Sequence, residues 1–558
     1  MEVFSNIKQT RAQESTNAIE RLYIGMRHLF NRGFYNPMGI SGEILREALL
    51  VLRPEIYGSI NEDKVELNGL DYVLERLPEG IEECRFVSLT SEEGYKNAHF
   101  EIIIPQKRRR NCYRVDADQM NIEITRGRSE IYDILTHLTF MYMESEKIRK
   151  RIHTEEDRSL KRDWKKIVNF VEKGELSNKD RDIAMAHLAY VLGRSFQEIA
   201  ESYSKFATTK NPDRLLHVVY WLGKIAFQDK NEGKKREISF SPVLRERIGH
   251  HIHSAVWAYQ IKKRINDLKL SNRPLHIISS NMHSVMNALF AEEVLRKEFS
   301  EASAMELYEI LSDGNNKSTR KKVEFYALKN GMYDLKDASS SHINAQLFDT
   351  SKIAHLSTFG KEQAPVLLVM DYAFGEQAYG AMDELLKPFE VNDSVLFYVN
   401  VTSISIMGKA GILCGDKGDI MIPTAHILEG TAGNYPFENQ LKLEDFEDCD
   451  TLKCFDGSMV TVLGTSLQNK DLLSFFHEST WDVIGLEMEG AHYQKAIQAA
   501  SKIRKSIHNK IAVRYAYYAS DNPLETGSTL ASGGLGTTGV KPTYTITQKI
   551  INQILETK

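Results

Sequence analysis

Beyond Pro365, apolar runs of strand length recur with helically spaced segments between them, and this alternation limits the folds open to the chain more than any other feature. The runs are Val366 to Met370, Val395 to Val401, Ile420 to Pro423, Met459 to Leu463, Val483 to Leu486 and Ile511 to Ala516. Helical patterns at Glu376 to Leu386, Lys470 to His477 and Glu489 to Ala500 lie among them. The pattern predicts an α/β domain around a mixed or mostly parallel sheet. A strand-loop-helix unit precedes it, built from Leu275 to Ile278, a Ser-Ser-Asn turn, and Ser284 to Glu298. The polar segments Ser312 to Lys322 and Lys336 to Ser341 read as loops.

The first 270 residues have a different texture. Ile19, Leu22, Tyr23, Met26, Leu29 and Phe30 recur at spacings of three and four and share one helix face, with Gly33 as the C-terminal stop. Ile131, Leu135, Leu138 and Tyr142 repeat the pattern, and further helices are expected at Ser41 to Leu52, Asp180 to Ser202, Arg214 to Phe227 and Pro242 to Leu268. Phe100 to Ile104 reads as an isolated strand. With 558 residues the chain is long enough for two to four domains. The division expected is 1–270, mainly helical; 271–360, an α/β connection; and 361–558, the domain that carries chemistry.

Charge and cysteine content narrow the function classes. Lys and Arg number 71 against 76 Asp and Glu, a net charge of -5, so no global positive field favours nucleic acid. The basic run Lys107 to Arg110 reads as a solvated loop. Five scattered cysteines, Cys84, Cys112, Cys414, Cys449 and Cys454, form no CxxC pair and fit a reduced, cytoplasmic setting. The N-terminal residues lack a signal-peptide core, and no apolar run is long enough to span a membrane. Glu246, His250 and His253 share a helical face if Pro242 to Leu268 is one helix, but without identified partners no metal site is assigned.

Three short pieces stand out in the last 160 residues. Met407-Gly408-Lys409-Ala410-Gly411 reads as a glycine turn after an apolar strand, with Gly418-Asp419-Ile420 just beyond, and glycines there let the backbone approach a bound group. Gly485-Leu486-Glu487-Met488-Glu489-Gly490 runs a strand into two carboxylates, which face one side if the chain is still extended. A carboxylate there can accept hydrogen bonds from a vicinal diol, and a methionine can pack under a sugar. Val513 to Pro523 is an apolar strand ending in Ser520-Asp521 and a proline turn, and α/β folds place ligands at such strand ends. Taken singly, each piece also reads as a tight turn, a solvated helix start or a turn former.

In this order and spacing the pieces resemble the nucleoside phosphorylase and nucleosidase superfamily, over about residues 360 to 558, and look most similar to the catalytic domain of AMP nucleosidase. Ser520-Asp521-Asn522-Pro523-Leu524 and the opening strand Val366 to Glu376 carry that finer similarity. The resemblance implies an α/β nucleoside phosphorylase-like domain with a central mixed sheet, which after the mainly α-helical N-terminal half read from periodicity makes the chain an α+β multidomain protein. It implies a nucleosidase that hydrolyses the N-glycosidic bond of a purine nucleoside or nucleotide, AMP among them, with no cofactor or metal, working as a homo-oligomer. By the resemblance Asp521 is the acid serving the purine N7, with Ser520 beside it, and Glu489 holds the ribose hydroxyls. Met488 lies against the sugar, Glu487 assists or is structural, and Glu376 orients the attacking water. The sequence departs from the phosphorylases at Ile406, where they carry an arginine, and at Lys409, where they carry Ser or Thr, which favours hydrolysis. Lys409, beside Gly408, would meet a 5′-phosphate or the nucleophile pocket, or stand as a surface lysine. Gly527 to Gly539 would close over the ligand or form a mobile loop, and Tyr435, Phe437 and Trp481 are stacking candidates or core aromatics. Two other classes stay open: a non-catalytic nucleotide sensor and a phosphate-dependent phosphorylase.

Overall fold

The structure, a computed structural model, describes residues 10–154, 159–356, 360, 362–391, 394–431, 433–447, 452–526 and 535–556. The chain is an α+β multidomain protein with two compact units, Met1–Gly249 with Ser466–Leu472 and His250–Thr465 with Leu473–Lys558.

The first unit is mainly helical. Helix Arg11–Arg32 starts at a capping box between Thr10 and Gln13, ends at Gly33 (φ 97°), and buries Ile19, Leu22, Met26, Leu29 and Phe30 as the spacing predicts. The expected helix Asp180 to Ser202 is two helices, Asn178–Leu192 and Phe196–Phe206, because Gly193 turns left-handed and Ser195 opens a new capping box with Glu198. Pro242 to Leu268 is likewise broken into Pro242–Arg247 and Ile252–Asp267, with Gly249 and His251 in the left-handed region. That break removes the shared face proposed for Glu246, His250 and His253; His253 Nδ1 instead lies 2.8 Å from the Ser339 carbonyl.

This half also holds a sheet that helical periodicity does not reveal. Strands β1 (Phe34–Tyr35), β2 (Phe86–Thr90), β3 (Cys112–Asp116), β4 (Gln119–Glu123) and β5 (Glu237–Phe240) are ordered β1-β5-β2-β4-β3. The expected strand at Phe100 to Ile104 contributes only an isolated bridge, Ile103 to Cys112, since Pro105 ends the pairing. The basic run is not solvated throughout. Arg108 clamps both oxygens of Asp133 at 3.0 and 2.7 Å, and the fully buried Arg110 reaches the same carboxylate at 2.7 Å. Asp133 and Glu130 stand on helix Arg128–Ile152, so acids distant in sequence draw these arginines inward.

The second unit is built on a ten-stranded mixed sheet. Its strands are β6 (Leu275–Ser279), β7 (Met332–Leu335), β8 (Ala345–Asp349), β9 (Val366–Met370), β12 (Val401–Ile412), β13 (Ile420–Leu428), β14 (Asn434–Pro436), β15 (Cys454–Thr461), β16 (Val483–Glu487) and β17 (Ala512–Asp521). A separate hairpin, β10 (Phe389–Val391) with β11 (Ser394–Phe397), replaces the first part of the run expected from Val395. The pairings β12 to β17, β17 to β13, β13 to β15, β15 to β16 and β16 back to β12 close a small barrel. From β12 the sheet extends outward through β6, β9, β8 and β7. Gly485 lets the barrel interior close, because a Cβ there would stand 2.4 Å from Met421 Sδ and 2.6 Å from the Gly411 carbonyl. Among the described residues no helix is long and apolar enough to cross a membrane.

Candidate functional site

The sheet register assembles the sequence landmarks. Ser403 to Ile406 of β12 pair with β17 on one edge and with β6 on the other, and the β6 ladder stops at Ile406 opposite Ser279. Gly411 pairs with Asp521 of β17 and with Leu486 of β16, so β16 takes up the edge that β6 has left. Between these two ladders the described pairings leave Met407 to Ala410 without a strand partner on that edge. The segment expected to be a glycine turn is thus strand interior, flanked by the ends of β6 and β16 and by β17. A gap of this kind beside strand ends is where open α/β sheets accommodate ligands.

Glu487 and Glu489 divide into different environments. The strand ends at Glu487, whose side chain is buried and accepts hydrogen bonds from the Thr461 hydroxyl and from the backbone N–H groups of Glu489 and Gly490. It therefore caps helix Gly490–Gln498, while Thr461 accepts in turn from the Ala491 N–H at 2.8 Å. Burial pushes the Glu487 carboxyl up, but His426 beside it, the Thr461 hydroxyl and the Gly490 N–H hold it below the usual carboxylate range. His426 Nδ1 lies 3.5 Å from Glu487 Oε1, and its fully buried ring stacks on Phe437. Gly490 is required here, since a Cβ would fall 2.4 Å from the His426 ring. Glu489, by contrast, is half-buried, and its Oε1 accepts the Gly375 N–H at 2.9 Å. The chain is no longer extended at Glu489 (φ -126°, ψ -25°), so the two carboxylates are not a same-side pair of one strand. Met488 between them is half-buried.

The Gly375 contact brings the loop after β9 to the same place. Glu376 is half-buried at the start of helix Gln377–Leu385, and His492 of the capped helix faces both Glu376 and Glu487. Burial lowers the His492 pKa against those two negative charges. Ile406 is buried in the core, and Lys409 points to solvent.

Asp521 ends β17 beside Gly411. The Ser520 hydroxyl stands 2.6 Å from Asp521 Oδ1 and 3.0 Å from the Ala410 carbonyl, while Asp521 Oδ2 is buried without a hydrogen-bond partner. Burial raises the Asp521 pKa above the usual value, opposed by the Ser520 hydroxyl and by the positive charges of Lys409 and Lys417. Asn522 holds the loop after β12 by donating to the Gly415 carbonyl at 2.9 Å.

Several residues at the site carry no signal in the sequence pattern. Tyr372 shows its ring to solvent (37% exposed) while its hydroxyl is anchored on Tyr518 and the Asn281 backbone; its ring is 3.4 Å from where a Gly408 Cβ would stand. Thr461, His426 and Tyr517 reach the site across the barrel, and only their places on alternating apolar strands hint at an inward face. Of the stacking candidates, Phe437 packs on His426, Tyr435 is half-buried and Trp481 is exposed. Residues 527–534 of the glycine-rich stretch and Cys449 lie outside the described residues.

Comparison with known proteins gives the family. The chain belongs to a family of unknown function, DUF6909, whose model matches residues 43–299 and 304–556. No curated protein matches the chain. Among solved structures it is similar to 5′-methylthioadenosine/S-adenosyl homocysteine nucleosidase of Campylobacter jejuni, at 11% identity over 51% of this chain and 99% of that one, with a TM-score of 0.32. A futalosine hydrolase mutant of Helicobacter pylori is similar at 10% identity over 51% and 99% of the two chains, with a TM-score of 0.30.

Proposed function

We propose that the protein is a purine nucleosidase that hydrolyses the N-glycosidic bond of a purine nucleoside or nucleotide, AMP among the candidates, with residues 361–558 as the catalytic domain. The observation that carries this reading is Asp521, a buried carboxyl biased toward its neutral form with an unpartnered Oδ2, which ends β17 beside Gly411 where β16 leads into Glu487 and Glu489. Breaking the bond sends an electron pair into the departing base and leaves positive charge on the sugar. Asp521, with its raised pKa and unpartnered Oδ2, supplies a proton to N7 of the base, a role typically worth about 10² to 10⁴ in rate. Ser520 fixes the other oxygen, Oδ1. Glu489 accepts the ribose hydroxyls and places negative charge near the developing cation. Met488 packs on the sugar, Gly408 leaves room for it, and Glu376 orients the attacking water. Glu487 supports Glu489 by fixing its backbone N–H. Lys409 supplies local positive charge, which the net charge of -5 does not.

The burial of Ile406 favours water over phosphate as nucleophile, because no cation stands at that point of β12. The test is base release from AMP, adenosine, inosine and methylthioadenosine, with and without phosphate, followed by chromatography. Release without phosphate is expected. Strict phosphate dependence would make the reaction phosphorolysis, and thermal stabilisation by a nucleotide without any release would replace catalysis with sensing.

A further inference from the structure

Tyr517 sits on β17 opposite Gly408 of β12 and Met421 of β13 and is 4% exposed. Its Cδ1 is 4.0 Å from where a Gly408 Cβ would stand, so the ring borders the segment of β12 that lacks a strand partner. Its hydroxyl is buried and has no hydrogen-bond partner. Neighbouring buried tyrosines are satisfied: the Tyr515 hydroxyl donates to Gln494 Oε1 at 3.1 Å, and the Tyr493 hydroxyl lies 3.1 Å from Ser279 Oγ. Leaving a buried hydroxyl unpaired costs stability; the hydroxyls of Tyr35 and Tyr142 in the first unit are also unpaired, but that of Tyr517 belongs to a ring bordering the strand gap, where a ligand could pair it.

The surroundings of that hydroxyl indicate what would pair with it. Burial first, then the charges of Glu487 and Glu489 with Tyr515 between them in weight, push the Tyr517 phenol well above its ordinary pKa, so it is a proton donor at any working pH. Glu487 already receives the Thr461 hydroxyl and two backbone N–H groups. Glu489 is acceptor-only when ionised, so a ligand hydroxyl that meets it must donate its O–H to the carboxylate in a hydrogen bond. The oxygen of that hydroxyl then has lone pairs to satisfy and needs a donor.

We infer that Tyr517 is a second protein contact to the sugar, its phenol donating to the oxygen of the ribose hydroxyl whose hydrogen bond Glu489 accepts. The ligand class this selects is a ribonucleoside over its deoxy counterparts. The inference rests on the reading of Glu489 as the acceptor of the ribose hydroxyls.

The test is a substrate-truncation cycle on the full chain. Binding of adenosine, 2′-deoxyadenosine and 3′-deoxyadenosine is measured by calorimetry in the Asp521→Asn background, which keeps the probes intact, with and without Tyr517→Phe. Adenosine should bind more tightly than at least one deoxy probe, and Tyr517→Phe should cut that preference about tenfold while weakening that deoxy probe little. The melting temperature should stay the same or rise, because only an unpaired hydroxyl is lost; a clear drop would overturn the inference by showing that the hydroxyl is structurally paired. An unchanged preference, or equal weakening of all three probes, would overturn the role of Tyr517 while leaving Glu489 intact. No binding of any probe would overturn the ribose reading and the inference with it, whereas probe binding combined with no base release by the chain that retains Asp521 would sink only the hydrolysis.

Discussion

Replacing Glu487 by Gln tests the claim that this carboxylate holds the site together without touching substrate. One carboxylate oxygen, Oε2, takes the backbone N–H groups of Glu489 and Gly490, and the other takes the Thr461 proton. The amide oxygen of Gln can keep the two N–H bonds but without charge assistance, and its NH₂ then confronts a Thr461 hydroxyl already engaged with Ala491. Losing charge assistance on two bonds, disturbing a third and removing the negative charge from a helix N-terminus should together cost roughly 2 to 4 kcal/mol. Hydrogen exchange of peptides covering 483 to 498 localises this loss better than a global melt in a two-unit chain. The pH dependence gives a second check. Glu487 has a folded-state pKa below its ordinary 4.5, so its contribution is complete above that pH and is lost as pH falls through the lower folded value. The variant should lack that acid-limb loss. A protection change under about 0.5 kcal/mol, within the range of ordinary surface substitutions, or an acid limb identical to wild type, would refute the capping role.

The remaining predictions are shorter. Asp521→Asn should abolish base release and leave stability equal or higher at neutral pH, because a carboxyl with a raised folded-state pKa disfavours the fold once it ionises; wild-type turnover would exclude Asp521 as the acid. Lys409→Ala removes a charge that lowers the Asp521 pKa, so the basic limb of the kcat/KM profile should move to higher pH, and an unmoved limb would detach Lys409 from the acid. Asp133→Asn, in the first unit, removes the carboxylate that Arg108 and Arg110 share, leaving Arg110 with Glu130, and should cost about 3 to 5 kcal/mol in urea unfolding; a loss below about 1 kcal/mol would show that the buried pairs contribute little.

Much of the candidate site was legible before the fold was known, because strand-end chemistry is written in contiguous residues. The Glu487 to Gly490 and Ser520-Asp521 pieces end strands at the expected places, and Gly33 stops its helix where the spacing says it should. Local pattern misread Met407 to Gly411 as a turn because glycine ordinarily breaks strands. Here Gly408 and Gly411 stay within the strand, where the Tyr372 ring lies 3.4 Å from the Gly408 Cβ position and the Gly411 carbonyl approaches Gly485 too closely for a side chain at 485, contacts made across about 36 to 74 residues of sequence.

The sequence alone determined the alternating α/β texture of the second unit and the order of its chemical landmarks, since both depend on periodicity and on neighbouring residues. Tertiary structure decided which groups each landmark meets. Barrel closure pairs β12 with both β16 and β17, and this gives Glu487 and Glu489 different partners although one residue separates them. Non-local packing likewise turned Arg108 and Arg110 inward, placed His426 beside Glu487 and set Tyr517 opposite Gly408. Register between distant strands and the pairing of buried charges are set by the free energy of the whole core, which no local spacing encodes.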